Sequence, residues 1–244
     1  MLKLLVSDFD GTLFASNELC LEKGIAQRID SIVSKGVAFA ISSGRSYSGL
    51  KKYLAVLNNE ICYISFDGAL VTVGDKVVFQ KTFSLDSIEH IFNLALCENN
   101  HVRFMSKDCT YSIGDINNKF PSDIKISKRF DIKSPIYKVE GFGKTSVCES
   151  LDYRLHYADE QVKEFVPAFA NKGVALGALQ RHLGISRYDT LAMGDNDNDI
   201  PMMKNAKYSV CVGEKCNDLK KECRIFTNSA KEILEKVWLG SELL

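Results

Sequence analysis

The chain has 244 residues, enough for one large α/β domain or for a medium domain carrying a smaller insertion. Its composition, 45% hydrophobic and 25% charged, is that of an ordinary soluble globular protein. Lys plus Arg and Asp plus Glu both total 31, so no net field draws the chain to nucleic acid or to a membrane, and any affinity for phosphate has to be local.

The apolar run Leu2–Val6 has the length of a fully buried strand and ends on Asp8-Phe9-Asp10-Gly11-Thr12-Leu13. Side chains just past the carboxyl end of a strand in an open parallel sheet face the ligand crevice, so both acids should project toward a site. Two carboxylates this close repel each other unless a cation or a proton intervenes, which suits Mg²⁺; a turn that uses Asp for local hydrogen bonds is the plainer reading of the pair alone. From Leu19 to Lys35, apolar positions at Leu21, Ile25, Ile29, Ile32 and Val33 predict a helix, with Gly36 as its cap. Val37–Ser42 predicts a second buried strand, so the opening is a right-handed β-α-β crossover in a parallel sheet.

Ser42-Ser43-Gly44-Arg45 ends that strand ahead of a helix over 47–57. A hydroxyl and a glycine at a strand-to-helix turn can present backbone N–H groups to an anionic oxygen, or can simply cap the helix. Ile61–Phe66 is a third strand, closed by Asp67-Gly68-Ala69. Beyond it come short β-rich runs (76–79, 102–105, 111–113, 136–142) around a helix near 85–97 and another near 146–151. This texture predicts an inserted α+β domain at 75–160, with 1–74 and 161–244 forming the first domain.

The first pattern resumes at Asn171-Lys172-Gly173, with a helix to Leu183; a lysine at a helix start opposes the dipole unless an anion pairs with it. Thr190–Met193 is the next strand and ends on Gly194-Asp195-Asn196-Asp197-Asn198-Asp199, which implies a cation or a dense hydrogen-bond network. A helix-loop-helix calcium site fails here, because its sixth position is Ile200 where glycine is needed and its twelfth is Ala206 where Glu belongs. Strands at 208–212 and 224–227 and a helix over 230–237 complete the chain. Eight cysteines lie scattered without a Cys-x-x-Cys pair, which favours free thiols in a reducing cytosol. With no membrane-length apolar run and a short apolar N-terminus, the expected location is cytoplasmic.

Polar motifs at four points of one parallel sheet should converge on one crevice, and they supply the parts for in-line phosphoryl transfer through an aspartyl-phosphate. In this order and spacing they resemble the haloacid dehalogenase superfamily of phosphohydrolases, specifically its Cof-type group with an α+β, C2-type cap. The resemblance runs from Leu2 to about Trp238. It implies a Rossmann-like parallel-sheet core with 75–160 as the cap, and a Mg²⁺-dependent phosphatase acting on small phosphorylated metabolites such as sugar phosphates. By the same resemblance Asp8 is the nucleophile and Asp10 the general acid and base. Mg²⁺ is held by the side chains of Asp8 and Asp195 and by the Asp10 backbone carbonyl. Ser43, the Gly44 amide, Lys172 and Asn198 grip the phosphoryl oxygens. Asp199 supports the metal shell or Lys172, and Asp197 is a solvated loop acid.

Asp67 stands where the group usually has Asn, which leaves open what that position touches. Arg45, Arg103, Lys107 and Asp108 are candidates for contact with the leaving group, against a plainer reading as solvated surface; His90, His101, His156 and His182 share no spacing and receive no role. Two other chemistries use such parts: a phosphotransferase or mutase, and a phosphoacceptor signalling domain, which would be about half this length and lack the insertion.

Overall fold

The computed structural model describes residues 1–14, 21, 23–114, 122–143, 145–213 and 217–240. Leu19 and Cys20, where the first helix was expected to open, and Cys216 lie outside the described residues. Two compact units are present, Met1–Phe79 with Asn171–Leu244, and Gln80–Ala170.

The chain opens with β1 (Leu4–Asp8), α1 (Lys23–Ser34), β2 (Ala38–Ser42), α2 (Tyr47–Tyr53), β3 (Cys62–Ser65), β4 (Leu70–Val73) and β5 (Lys76–Gln80). The second unit contains α3 (Leu85–Glu98), β6 (His101–Met105), β7 (Thr110–Ile113), β8 (Ile124–Lys125), β9 (Lys138–Phe142), β10 (Tyr153–Ala158) and β11 (Val162–Pro167). The first unit then resumes with α4 (Lys172–Leu183), β12 (Thr190–Gly194), α5 (Ile200–Met203), β13 (Tyr208–Val212), α6 (Asn217–Glu222), β14 (Ile225–Thr227) and α7 (Ala230–Leu239).

The first unit's sheet has the order β14-β13-β12-β1-β2-β3-β4-β5. From β14 to β3 every pairing is parallel, and β4 turns back antiparallel on β3. Every residue of β1 is buried, as expected of a central parallel strand covered on both faces. Leu4 and Val6 pack with Ala192, Cys211 and the Ala175, Leu176 and Leu179 face of α4. Asp8 lies level with Ser42, and Ser7 with Met193, so β1, β2 and β12 release their following loops at one carboxyl edge.

Several expected elements and boundaries differ. The helix after Arg45 stops at Tyr53 and gives way to turns by residue 57. The run 76–79, assigned by texture to the insertion, is β5 at the edge of the first unit's sheet, because it follows the β3-β4 turn-back rather than starting a new core. No helix forms at 146–151, where side chains take the backbone donors. Ser146 N–H donates to Glu98 and Val147 N–H to the Thr145 hydroxyl, the local competition that disfavours helix in Ser/Thr-rich segments.

The second unit is a sheet of order β10-β11-β9-β6-β7-β8, antiparallel except for the β7-β8 pair. One face packs Val102, Phe104, Val139 and Phe165 against Ile88, Ile91 and Phe92 of α3. The unit runs past residue 160 because β11 pairs with β9 as far as Phe165 and with β10 as far as Pro167.

Two glycines of α4 separate packing from helix propensity. A Cβ on Gly173 would sit 2.3 Å from the Pro201 carbonyl oxygen, whereas one on Gly177 would meet only the end of Arg181 at 3.6 Å. Gly177→Ala should therefore stabilise the fold by about 0.5–1 kcal/mol, and Gly173→Ala should destabilise it by about 1–3 kcal/mol. Denaturant melts of the two variants check this; equal signs would contradict the close α4-α5 packing.

Candidate active site

The first loop is a tight return. Leu13 and Phe14 N–H both donate to the Phe9 carbonyl, and Gly11 N–H donates to the Phe14 carbonyl at 3.0 Å. Gly11 has φ +85°, and a Cβ there would lie 2.3 Å from Asp195 Oδ2, so only glycine lets this loop meet the loop after β12. Thr12 Oγ1 donates to Asp195 Oδ1 at 3.2 Å and ties the same two loops together.

After β2, Ser43 N–H joins Ile64 at 2.9 Å and the Ser43 carbonyl accepts from Asp67 N–H at 3.1 Å, which fixes the turn. Ser43 is buried, and its hydroxyl lies 3.4 Å from Asp10 Oδ2. Arg45 grips Asp10 with two nitrogens, Nε at 2.8 Å from Oδ2 and Nη2 at 2.6 Å from Oδ1. Its guanidinium also lies near the rings of Phe9, Phe14 and Tyr53, 4.5 Å from the Tyr53 centroid. Arg45 is thus neither solvated surface nor a free leaving-group contact; it holds the second acid of the first motif.

Asp67 is buried, with the left-handed backbone values φ 54° and ψ 33°. A Cβ on Gly44 would lie 3.0 Å from both its carboxylate oxygens, and its charge acts on Lys172. Sequence reasoning left this residue without a place; its only signal was an acid in a turn position that tolerates left-handed backbone.

Lys172 stands at the start of α4, where the Asn171 side chain accepts from Val174 N–H at 2.9 Å. It is 2% exposed, and its Nζ donates to Asp8 Oδ1 and to Asp199 Oδ1, each at 2.6 Å. The other oxygen of Asp199, Oδ2, accepts from Asp195 N–H and Asn196 N–H, both at 3.1 Å. Both Asp199 oxygens are therefore engaged in holding the lysine and the loop. Carboxylate oxygens of Asp8, Asp195 and Asp199 lie within 4.8 Å of one another. Asn198 and Asp197 share the same turn but are exposed, and no hydrogen bond joins Asn198 to the cluster.

One buried ammonium stands among the charges of four carboxylates, Asp8, Asp67, Asp195 and Asp199. Burial alone would push Lys172 down, but Asp8 and Asp199 outweigh it and hold the lysine above its ordinary value. Burial pushes Asp8 up to about 8 against the pull of Lys172, with Asp199 and Asp195 adding to the rise. Burial and then Asp199 also raise Asp195. A surplus of negative charge on oxygen donors is the environment a hard divalent cation relieves, so these residues fit Mg²⁺.

Arg103, in the second unit, is not solvated; it pairs with Asp123 and Glu140 at 2.6 Å each and is 13% exposed. Lys107 is only 4.0 Å from its neighbour Asp108. His90 and His182 are exposed, His156 is half-buried and His101 is buried, and the acidic cluster includes no histidine.

A family model of haloacid dehalogenase-like hydrolases matches residues 5–234. The chain belongs to that family. Among curated relatives of this haloacid dehalogenase-like hydrolase is a putative phosphatase of Bacillus subtilis, 25% identical and covering 95% of each chain. Another is the 5-amino-6-(5-phospho-D-ribitylamino)uracil phosphatase of Escherichia coli, 22% identical over 86% of this chain and 85% of that protein. A solved haloacid dehalogenase-like hydrolase from Bacteroides thetaiotaomicron superposes with a TM-score of 0.84 at 19% identity, covering 97% of this chain and 100% of the other. The enzyme is a phosphatase of the haloacid dehalogenase type, with a Rossmann-like core. Among the described residues no helix is long and apolar enough to cross a membrane.

The raised Asp8 value carries a sign. The folded protein holds a proton that the unfolded chain has already lost, so metal-free stability falls as pH rises from the ordinary carboxylate range through about 8. Removing that charge removes the loss. In chelator, the thermal midpoint of Asp8→Asn should rise relative to wild type between about pH 5 and pH 8. A difference that stays constant over that range would show that Asp8 titrates normally.

Proposed function

We propose that this phosphatase is a Mg²⁺-dependent hydrolase of small phosphorylated metabolites, of the sugar-phosphate kind, working through an aspartyl-phosphate on Asp8. The observation that carries the reading is Asp8 at the end of the central strand, 2.6 Å from a buried lysine and within 4.8 Å of two further carboxylates. A carboxylate so placed can attack phosphorus in line, and splitting the displacement in two lets water finish what the aspartate begins.

Asp10 is the general acid and base, protonating the leaving oxygen and then activating water. Arg45 fixes its carboxylate beside the Ser43 hydroxyl. Ser43, the Gly44 amide and Lys172 stabilise charge on the phosphoryl oxygens, with Asn198 joining from its exposed turn. The side chains of Asp8 and Asp195 and the backbone carbonyl of Asp10 would hold Mg²⁺. Asp199, with both oxygens engaged, orients Lys172 and the loop rather than binding metal. When bound, the ion neutralises the carboxylates and polarises the phosphoryl oxygens.

The second unit, Gln80–Ala170, is the cap in this reading, and it selects the leaving group. The substrate class draws support from the similar Escherichia coli protein, whose named substrate is a phosphorylated ribityl compound.

Hydrolysis of p-nitrophenyl phosphate and of a sugar-phosphate panel, with Mg²⁺ and with chelator, tests the proposal. Turnover should need the metal and vanish in Asp8→Asn, and turnover that survives the substitution would remove Asp8 as nucleophile. Lys172→Ala should lower kcat by about 10² to 10³, as loss of one preorganised electrostatic donor does. A silent Lys172→Ala would overturn its role.

A further inference from the structure

A buried acid lies against the turn assigned to the phosphoryl oxygens. Phe66 N–H donates to the Arg45 carbonyl at 3.0 Å and Asp67 N–H to the Ser43 carbonyl at 3.1 Å, so this short segment is bonded to the chain on both sides of Gly44. Both oxygens of the Asp67 carboxylate lie 3.0 Å from the point where a Cβ on Gly44 would stand, and the residue is 2% exposed. The same segment packs against the start of α4, since a Cβ on Gly68 would lie 2.2 Å from the Asn171 carbonyl oxygen and 2.9 Å from the Lys172 backbone nitrogen. Asp67 thereby borders the Ser43-Gly44 turn, and its charge reaches the Lys172 ammonium.

The backbone that places it is unfavourable. Phe66 and Asp67 have φ +52° and +54°, left-handed values in two successive residues that are not glycine. Strain of this kind persists only where the surrounding structure imposes it, and it gathers at functional sites. An asparagine has the same shape and tolerates the same backbone. What the carboxylate adds is charge.

That charge enters a site already rich in acids. Asp8, Asp67, Asp195 and Asp199 stand against the single ammonium of Lys172, while Asp10 is matched by Arg45. Even with the two charges of a divalent ion added, these acids outnumber the positive charges. A phosphoryl group at Ser43 and Gly44 brings negative charge of its own, and like charges a few ångströms apart in a buried site repel strongly.

We propose that the Asp67 carboxylate is a repulsive element of the phosphate site, opposing a dianion at the Ser43-Gly44 turn and so holding down the affinity for inorganic phosphate, the product. The assignment rests on the hydrolytic reading above. The repulsion acts on bound ester and on free phosphate alike, so its removal appears in KM and in product inhibition.

Calorimetric titration of inorganic phosphate into the protein at saturating Mg²⁺ tests this. Asp67→Asn keeps the shape and removes the charge, and Asp67→Gly suits the left-handed backbone and leaves space beside Gly44. Both should bind phosphate about three- to thirtyfold more tightly than wild type, and Ki for phosphate against p-nitrophenyl phosphate hydrolysis should fall by the same factor. A merely structural Asp67 would move the other way, because a loosened turn binds phosphate more weakly and melts earlier. An unchanged or weakened affinity in Asp67→Asn overturns the assignment, and Asp67→Gly decides in the same way if the asparagine variant does not fold. Ser43→Ala, run in parallel, separates the two claims. If it weakens phosphate binding while Asp67→Asn does not strengthen it, only the Asp67 assignment falls; if it leaves phosphate binding unchanged, the reading of the turn as a phosphoryl grip falls first and this assignment falls with it.

Discussion

The contact on which the site depends is the buried ammonium of Lys172, 2.6 Å from Asp8 and 2.6 Å from Asp199. Desolvating a lysine and two carboxylates is costly, and removing one partner from such a cluster strands charge in a dry interior. The fold meets that cost with backbone. α4 begins at the lysine itself, its N-cap is satisfied by Asn171, and Asp199 is clamped through its second oxygen by two amides of its own loop. What remains is a surplus of negative charge at the end of the central strand, and in the proposed reaction that surplus is what a divalent cation would relieve.

The neighbouring acid is handled differently. Asp10 is exposed where Asp8 is buried, and it is gripped by Arg45 rather than by a lysine. Arg45 in turn rests against the rings of Phe9, Phe14 and Tyr53, so two residues of the first loop help to orient the arginine that orients that loop's own aspartate. Two carboxylates one residue apart thereby acquire distinct environments, the usual condition for dividing nucleophile from acid and base. In the second unit, Arg103, Asp123 and Glu140 form a partly buried charged group of their own.

Much of the site could be read from residue order alone, because strand-end motifs in a parallel sheet are obliged to share one edge. The pairing of Asp8 with Ser42, and of Ser7 with Met193, follows from the buried apolar runs that precede each motif. Residues whose partners are set by tertiary packing were not legible. Arg45 was indistinguishable from a solvated cation until Asp10 and three rings were seen around it. Arg103 looked like surface because its partners, Asp123 and Glu140, come from separate segments. Asp67 and Phe169 carry left-handed backbone that no local pattern in a non-glycine residue announces. The run 76–79 was misassigned for a related reason, since an edge strand and the first strand of an insertion have the same β-rich texture.

Chemical trapping of the phosphorylated enzyme tests the account most directly. Protein quenched during Mg²⁺-supported turnover and reduced with borohydride, which converts an acyl phosphate to an alcohol, would be digested and sequenced by mass spectrometry. The account predicts reduction of the aspartate at position 8 to homoserine and of no other acid, dependent on substrate. Reduction at Asp10, Asp67 or Asp195, with Asp8 untouched, would contradict it.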